Sequence, residues 1–250
     1  MGDDGAPVVT VTLCRPERRN AQTPATWSAL AAVGAALPES TRVVVLRGDG
    51  TSFSAGIDVR LFGPEGLDGE TPFTTIVGSE PVVGSDLVAR FQEGFTWWHD
   101  RDDVITIAAV QGPAVGAGFQ LALACDLRVA AADARFSMRE TTLGLVPDLT
   151  GTHPLVRAVG YSRALEICLT GRWVPADEAL ALGLVHSVAA PDGLDEALTA
   201  VVASVLAAPE RAVRDTKAVL RHAIHSSVDD QRRFERETQV ALIRSVGGRT

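Results

Sequence analysis

Three glycines between an apolar run and an Ala/Leu-rich run are the first sign of chemistry in this sequence. Gly112, Gly116 and Gly118 lie in the segment AVQGPAVGAGFQLALACD, residues 109–126. Glycine lets a ligand approach the backbone closely, and the first N–H groups of a helix are free to bind an oxygen that gains negative charge. A phosphate-binding loop is excluded because no Gly-Lys-Ser/Thr follows, and a dinucleotide fingerprint fits poorly.

A neutral amide lies within this segment at Gln120, and two carboxyl groups follow it at Glu140 and Asp148. A carboxylate can accept and return a proton, whereas a neutral amide can only orient water through hydrogen bonds at neutral pH. Gln120 comes three residues after Ala117, so both would lie on one face of a helix. Glu140 and Asp148 could serve as base and acid if their pKa values are pushed apart. Asp148 could instead cap the helix that follows it.

Three ordered motifs together resemble the crotonase (enoyl-CoA hydratase/isomerase) superfamily. They are SFSAGID at 52–58, the glycine-rich segment, and ARFSMRETTLGLVPD at 134–148. The resemblance extends from about Val8 to about Val188 and implies an α/β fold, a crotonase-like spiral of stacked ββα turns with a C-terminal helical trimerisation region. It divides the chain into an acyl-CoA-binding spiral core, residues 1–190, and a C-terminal helical region for oligomerisation and pocket cover, residues 191–250.

The same resemblance implies a site for an acyl-CoA thioester. Its carbonyl oxygen would accept hydrogen bonds from the backbone N–H groups of Ile57 and Ala117, an oxyanion hole that stabilises enolate charge. The residues expected to contact CoA or the substrate are Arg18, Ala55, Gly56, Asp58 and Gly116. No separate cofactor and no metal is expected, because coenzyme A arrives as part of the substrate.

The acid–base positions depart from the hydratase pattern. Hydratases have a glutamate at the position of Gln120 and a glycine at that of Asp148, while Glu140 is retained. An acidic residue at 148 resembles the enoyl-CoA and dienoyl-CoA isomerases, so the main expectation is an isomerase that shifts a C=C double bond. The alternatives are a hydratase that uses Glu140 alone and a non-catalytic acyl-CoA-binding protein. A dehalogenase with Asp148 as nucleophile would need a histidine base about where Glu93 falls, and His99 is displaced from that place.

Hydrophobic patterning predicts alternating strands and helices, as expected for an α/β layer architecture. The predicted strands are Val8–Leu13, Arg42–Arg47, Val104–Val110, Leu127–Ala131 and Leu184–Val188. The predicted helices are Pro24 to about Leu37 with Thr23 as N-cap, roughly Ser85–His99, Phe119–Ala124, Pro154–Val159, Ser162–Leu169, Ala176–Leu182 and a tail from Leu194 with breaks near Pro209 and Ser226. A long loop is predicted from Leu61 to about Val83.

Composition narrows the class of protein. The chain has 250 residues, is 46% hydrophobic and carries a net charge of −8, which disfavours nucleic acid and anionic membranes as partners. The start of the chain lacks the features of a secretory signal, and no apolar run is long enough to span a membrane. Three scattered cysteines favour reduced thiols in a cytoplasmic protein. Apolar positions in the tail (Leu198, Val201, Val202, Val205 and Leu206) predict a partner surface and a homotrimer or dimer of trimers.

Overall fold

A five-stranded parallel sheet forms the centre of the fold in the computed structural model, which describes residues 6–63, 66–70, 73, 78–190 and 192–247. Its strand order is β1-β2-β3-β5-β8. A smaller sheet has the order β4-β6-β7, in which only the β6–β7 pair is antiparallel. The strands are β1 Val8–Leu13, β2 Val43–Gly48, β3 Ile105–Val110, β4 Pro113–Val115, β5 Leu127–Ala131, β6 Arg135–Ser137, β7 Val174–Pro175 and β8 Ser187–Ala189. Both sheets add strands in chain order, and the predicted α/β class is confirmed.

The helices surround this core and match the predicted pattern closely. They are α1 Pro24–Ala35, α2 Pro81–Asp100, α3 Ala117–Ala124, α4 Thr152–Val159, α5 Tyr161–Thr170, α6 Ala176–Ala181, α7 Leu194–Ala207, α8 Glu210–Ala223 and α9 Val228–Gly247. Thr23 caps α1 as expected, since its hydroxyl accepts a hydrogen bond from the Thr26 N–H. The breaks expected near Pro209 and Ser226 separate α7, α8 and α9.

Two predicted boundaries are wrong. The second helix begins at Pro81 rather than near Ser85, because proline at the first helical position suits its fixed φ. The last predicted strand shrinks to Ser187–Ala189, since only these residues pair with β5. Much of the predicted 61–83 loop lies outside the described residues, and its start forms a 3-10 turn, Val59–Phe62.

The apolar face of α7 packs on its own sheet. Leu198 is buried in a cluster with β2, β3 and β5 residues, and partly buried side chains of α7 surround it: Val201, Val202, Val205 and Leu206. These positions therefore need no second subunit, and the argument that they require a partner surface is wrong. Helix α9 also leaves apolar side chains in solvent, with Val240 45% and Ile243 60% exposed. In the described part of the chain, no helix is long and apolar enough to span a membrane.

The second core cluster holds the site in place. It fills the space between the large sheet and α1, α2 and α3, with Trp27, Phe95 and Phe119 among its fully buried side chains. Every residue of α3 is buried, as predicted for a helix that is apolar all round. The core thus encloses α3 and holds the glycine-rich turn at its start in place.

Candidate active site

A cavity of about 660 Å³ opens beside the glycine-rich turn, within the roughly 300–1,000 Å³ typical of ligand sites. Its polar lining consists of Gln120, Arg139, Glu140, Thr142 and Asp148. Its large apolar lining consists of Trp27, Ile57, Val59, Phe62, Phe73, Val88, Phe91, Val115, Leu143, Leu145, Val146 and Leu149. A mostly apolar cavity with a few convergent polar groups suits a ligand with an apolar chain and one reactive end.

Two backbone segments form one wall of the cavity. Gly116 stands before α3 with φ +49° and ψ −118°, and Gly56 has φ +87°, so both adopt conformations that side chains rarely allow. A Cβ atom on Gly56 would lie 2.5 Å from the Val115 carbonyl oxygen and 3.5 Å from the Ala117 nitrogen. The segments carrying Ile57 and Ala117 therefore touch, as the sequence predicts.

The N–H groups of Ile57 and Ala117 are free to serve as donors. Among the described residues, neither group donates a hydrogen bond, whereas the neighbouring Asp58 N–H donates to Gln22 and the Gly116 N–H to Ser137. Ala117 is the first residue of α3, where an N–H has no partner inside the helix. Two adjacent free donors facing a cavity can bind an oxygen on which negative charge develops.

Gln120 projects from α3 into a closed network and is only 1% exposed. Its Nε2 donates to Glu140 Oε1 at 2.6 Å, and its Oε1 accepts from the N–H groups of Leu149 at 2.9 Å and Gly151 at 3.3 Å. Gln120 also lines the cavity. The Gln120 amide makes its hydrogen bonds to protein groups, and therefore its main role is not to orient a water molecule.

Glu140 stands at the start of a 3-10 turn, Glu140–Leu143, and is 8% exposed. A Cβ atom on Gly116 would lie 3.1 Å from its Oε1, so the carboxyl group sits directly beside the glycine turn. Its Oε2 is buried and has no hydrogen-bond partner among the described residues. Burial raises the pKa of Glu140 and the charge of Asp148 adds to this, whereas hydrogen bonds from its own backbone N–H and from Gln120 lower it.

Asp148 lines the same cavity and leaves α4 uncapped. The residue before α4 is Gly151, and no side chain caps that helix. Solvent reaches Asp148 through the mouth of the cavity, yet the concave walls remove part of its water and raise its pKa. Its backbone carbonyl accepts a hydrogen bond of 2.6 Å from Gln92 Nε2 on α2. Two carboxyl groups with raised pKa values therefore share one apolar cavity.

The expected CoA contacts divide into two groups. Ala55, Gly56 and Gly116 line the cavity, whereas Asp58 and Arg18 do not. Asp58 is instead held by two guanidinium groups, at 3.2 Å from Arg15 and 2.6 Å from Arg60. The Arg60 hydrogen bond, opposed by burial and aided by Arg15, lowers the pKa of Asp58 to about 2.

The sequence does not predict that Arg15 and Arg60 clamp the Asp58 carboxylate between them. The resemblance singles out Arg18 from the cluster at 15–19, but Arg18 is exposed on a short turn, Pro16–Arg18. Arg15 reaches inward because it also donates to the Ala21 carbonyl at 2.7 Å. Two features of the sequence point to this pairing: the arginine cluster at 15–19, and the spacing of two residues between Asp58 and Arg60.

A second cavity of about 450 Å³ lies at the other end of α3. It holds His99, whose Nδ1 is 3.6 Å from Asp126, and Asp126 in turn pairs with buried Lys217 at 2.7 Å. Glu93, which falls where a dehalogenase would place its base, is exposed and lines neither cavity. In the described residues, no group of His, Cys, Asp and Glu side chains could hold a metal ion.

Comparison with known proteins agrees with the geometry. The family model of enoyl-CoA hydratase/isomerase matches residues 86–247, more than half of the chain. The chain is 30% identical to a short-chain-enoyl-CoA hydratase of Clostridium acetobutylicum, covering 92% of this chain and 84% of that protein. It is 32% identical to the (E)-benzylidenesuccinyl-CoA hydratase of Thauera aromatica, covering 84% and 77%.

Solved structures extend the likeness to nearly the whole fold. A "putative enoyl-CoA hydratase" from Thermobifida fusca YX is 46% identical, with a TM-score of 0.92 over 98% of this chain and 92% of that one. The same Thermobifida protein has been solved in complex with CoA and in complex with acetoacetyl-CoA. The fold and site define an acyl-CoA enzyme with the crotonase fold. The chain belongs to the enoyl-CoA hydratase/isomerase family.

Proposed function

We propose that this enzyme adds water across the double bond of a 2-enoyl-CoA. The observation that carries the proposal is the Glu140 carboxyl group beside Gly116, at the turn that presents the Ala117 N–H; its Oε2 is buried and has no hydrogen-bond partner among the described residues. The thioester carbonyl oxygen binds the two N–H groups, which stabilise the enolate formed as water attacks. The water oxygen bonds to C3, and Glu140 takes the water proton and returns a proton to C2.

The relatives support hydration over double-bond migration. The Clostridium and Thauera proteins are both named hydratases, and the Thermobifida protein binds CoA and acetoacetyl-CoA in its structures. Hydration with one glutamate requires that Glu140 both accept and return a proton. A carboxyl group whose pKa is raised by burial stands closer to neutral pH and is better suited to both steps.

A second candidate reaction is favoured by Asp148. Its carboxylate lines the cavity with Glu140 and makes no hydrogen bond with another side chain in the described part of the chain. In a 3-enoyl-CoA, one of the two carboxylates would remove a proton from C2 and the other would deliver a proton to C4, so that the double bond moves into conjugation with the thioester. This is the isomerase reaction that the sequence favours.

One assay separates these reactions. Purified enzyme is given 2-enoyl-CoA and 3-enoyl-CoA, and the absorbance of the conjugated thioester is followed. Hydration removes this absorbance from the first substrate, and migration creates it from the second. We expect hydration, retained in Asp148→Asn. Migration without hydration, abolished by Asp148→Asn, would establish the isomerase instead. Binding of both substrates with turnover of neither would indicate an acyl-CoA-binding protein.

We also infer a homotrimer or a dimer of trimers. Support comes from α9, which packs chiefly on α8 and leaves Val240 and Ile243 largely in solvent. Light scattering at micromolar concentration tests this, and a stable monomer would contradict it.

A further inference from the structure

We propose that Gln120 is a positioning residue whose amide assigns the transferable proton of Glu140 to Oε2 and holds the turn after Asp148 in place. The inference rests on the proposed function only in taking Glu140 as the group that exchanges a proton with the substrate. It arises from the network of hydrogen bonds around one buried amide.

The orientation of the Gln120 amide is fixed by its partners. The N–H groups of Leu149 and Gly151 can only donate, so the atom that faces them must be the amide oxygen. The amide nitrogen then faces Glu140 Oε1 at 2.6 Å, and that oxygen must accept. In a protonated carboxyl group the carbonyl oxygen is a better acceptor than the hydroxyl oxygen, so the bond from Nε2 favours Oε1 as the carbonyl oxygen and places the proton of Glu140 on Oε2.

Oε2 is also the oxygen that the other described residues leave without a hydrogen bond, although it is buried. A buried polar atom without a hydrogen bond is unfavourable. A proton taken from the substrate, or a hydrogen bond from a water molecule, would offset this cost. Oε1 is therefore held by Gln120, while Oε2 is left to exchange the proton. This fixes the orientation in which the carboxyl group meets the substrate.

The same amide joins the segments that hold the two carboxyl groups. Through it, α3 is bonded to Glu140 on one side and to the turn after Asp148 on the other. The turn packs closely on the Gln120 side chain, since a Cβ atom on Gly151 would lie 2.5 Å from Gln120 Cγ. Gln120 therefore sets the distance between Glu140 and Asp148.

A carboxylate at position 120 could not do the same. It could accept from Leu149 and Gly151, but its other oxygen would meet Glu140 Oε1 at the present 2.6 Å. Two carboxylates at that distance must share a proton, and they titrate as a pair. The amide keeps the contact and adds no second titrating group beside Glu140. The other titratable or charged groups near Glu140 are Asp148, Cys168 and the neighbouring Arg139.

The test is an infrared titration of the Glu140 carboxyl stretch, identified by its loss in Glu140→Gln. Gln120→Met removes the donor to Glu140, and Gln120→Glu keeps the acceptor for the two N–H groups. Gln92→Met is the matched control, because Gln92 donates to the Asp148 carbonyl but does not touch Glu140. Thermal unfolding and circular dichroism establish that each variant is folded.

We expect Gln92→Met to titrate as wild type. In Gln120→Met, the Glu140 titration should move to higher pH, since a donor that favours the charged form is lost. In Gln120→Glu, a second carboxyl group should titrate with the first, and the protonated stretch should persist to higher pH than in wild type. For turnover, Gln120→Met should lower kcat on the order of 100-fold while KM changes little, as expected for misplacement of reacting groups.

The proposal is overturned if Gln120→Met and Gln120→Glu both leave the Glu140 titration unchanged, or if Gln92→Met shifts it as much as Gln120→Met. The infrared measurement needs no substrate. Failure of the proposed reaction would therefore appear in the assay with enoyl-CoA substrates, and failure of this inference would appear in the titration.

Discussion

The two walls of the cavity differ in the groups they offer: one presents backbone N–H groups and the other presents polar side chains. One wall consists of backbone, where Gly56 and Gly116 shape a turn that presents the N–H groups of Ile57 and Ala117. The other consists of side chains, where Gln120 and Glu140 meet Asp148. In the proposed function the backbone wall binds the thioester oxygen, and it offers no side chain that takes a proton. The reaction must be chosen at the side-chain wall.

The resemblance to the family's motifs is close at the backbone wall, and it departs at Gln120 and Asp148 on the side-chain wall. A backbone donor is insensitive to its own side chain, so Ala117 serves as well as glycine there. A glutamine at position 120 changes which groups can accept a proton. Variants on the two walls should therefore fail in different ways, and the predictions below run from the largest effect to the smallest.

The largest effect is expected from Glu140→Gln. The variant keeps the shape of the side chain but cannot exchange a proton, so kcat should fall by about 10²–10⁴-fold, the usual contribution of a general acid or base. Acyl-CoA affinity, measured by calorimetric titration, should change little, because the backbone wall is intact. Glu93→Gln is the control, since Glu93 is exposed on α2 and lines no cavity. A variant that loses binding along with turnover would contradict this division of the two walls.

Ala117→Pro removes one donor from the backbone wall. Proline suits the first position of a helix, so α3 should still form. The rate of turnover should fall on the order of 10²–10³-fold, as when one oxyanion donor is lost elsewhere. Ala117→Ser keeps the N–H group and should retain most of the activity. Equal losses in both variants would mean that crowding, and not the missing donor, is responsible.

The sequence predicts the backbone wall better than the side-chain wall. The family resemblance implies that the Ile57 and Ala117 donors lie together, and the structure shows positive φ values at Gly56 and Gly116, where few other residues fit. The bond from Gln120 to Glu140 spans 20 positions and depends on how two distant segments pack. No local pattern encodes that contact.

The same limit applies outside the cavity. The helical spacing of apolar residues predicts α7. This spacing does not tell whether the apolar face of the helix packs on the sheet of the same chain or on another chain. The clamp on Asp58 likewise requires knowing which arginine of the 15–19 cluster turns inward.

A smaller effect is expected from Asp58→Asn, which loosens the support of the backbone wall. Asp58 follows Ile57 directly, and its carboxylate is bound by Arg15 and Arg60. At pH 7 the variant should lower the free energy of unfolding by about 1–2 kcal/mol, discounted because both guanidinium groups are partly in solvent. Asp49→Asn, on an exposed turn, is the control.

The difference between wild type and Asp58→Asn should depend on pH. The pKa of Asp58 is lowered from 3.8 to about 2 in the fold, so its contribution is complete above 3.8 and is lost as the pH falls through 2. Chemical denaturation at several pH values measures this. A difference that persists unchanged near pH 2 would mean that the arginine pairs do not stabilise the fold.

The smallest effect should be a shift in the pH profile of Asp148→Asn. Hydration needs Glu140 ionised to accept the water proton, so kcat/KM should rise with pH through the raised pKa of Glu140. Burial is the main cause of that raised pKa, and the Asp148 charge adds to it. Removing the charge should therefore move the rising limb to lower pH. The shift should be smaller than, and opposite in sign to, that of Gln120→Met, because the Gln120 hydrogen bond acts on Glu140 more strongly than the Asp148 charge does. Glu93→Gln removes a charge outside the cavity and should leave the limb in place. A limb that moves to higher pH in Asp148→Asn would show that Asp148 does not act on Glu140 through its charge, and the side-chain wall would then have to be described as one carboxylate and not as two.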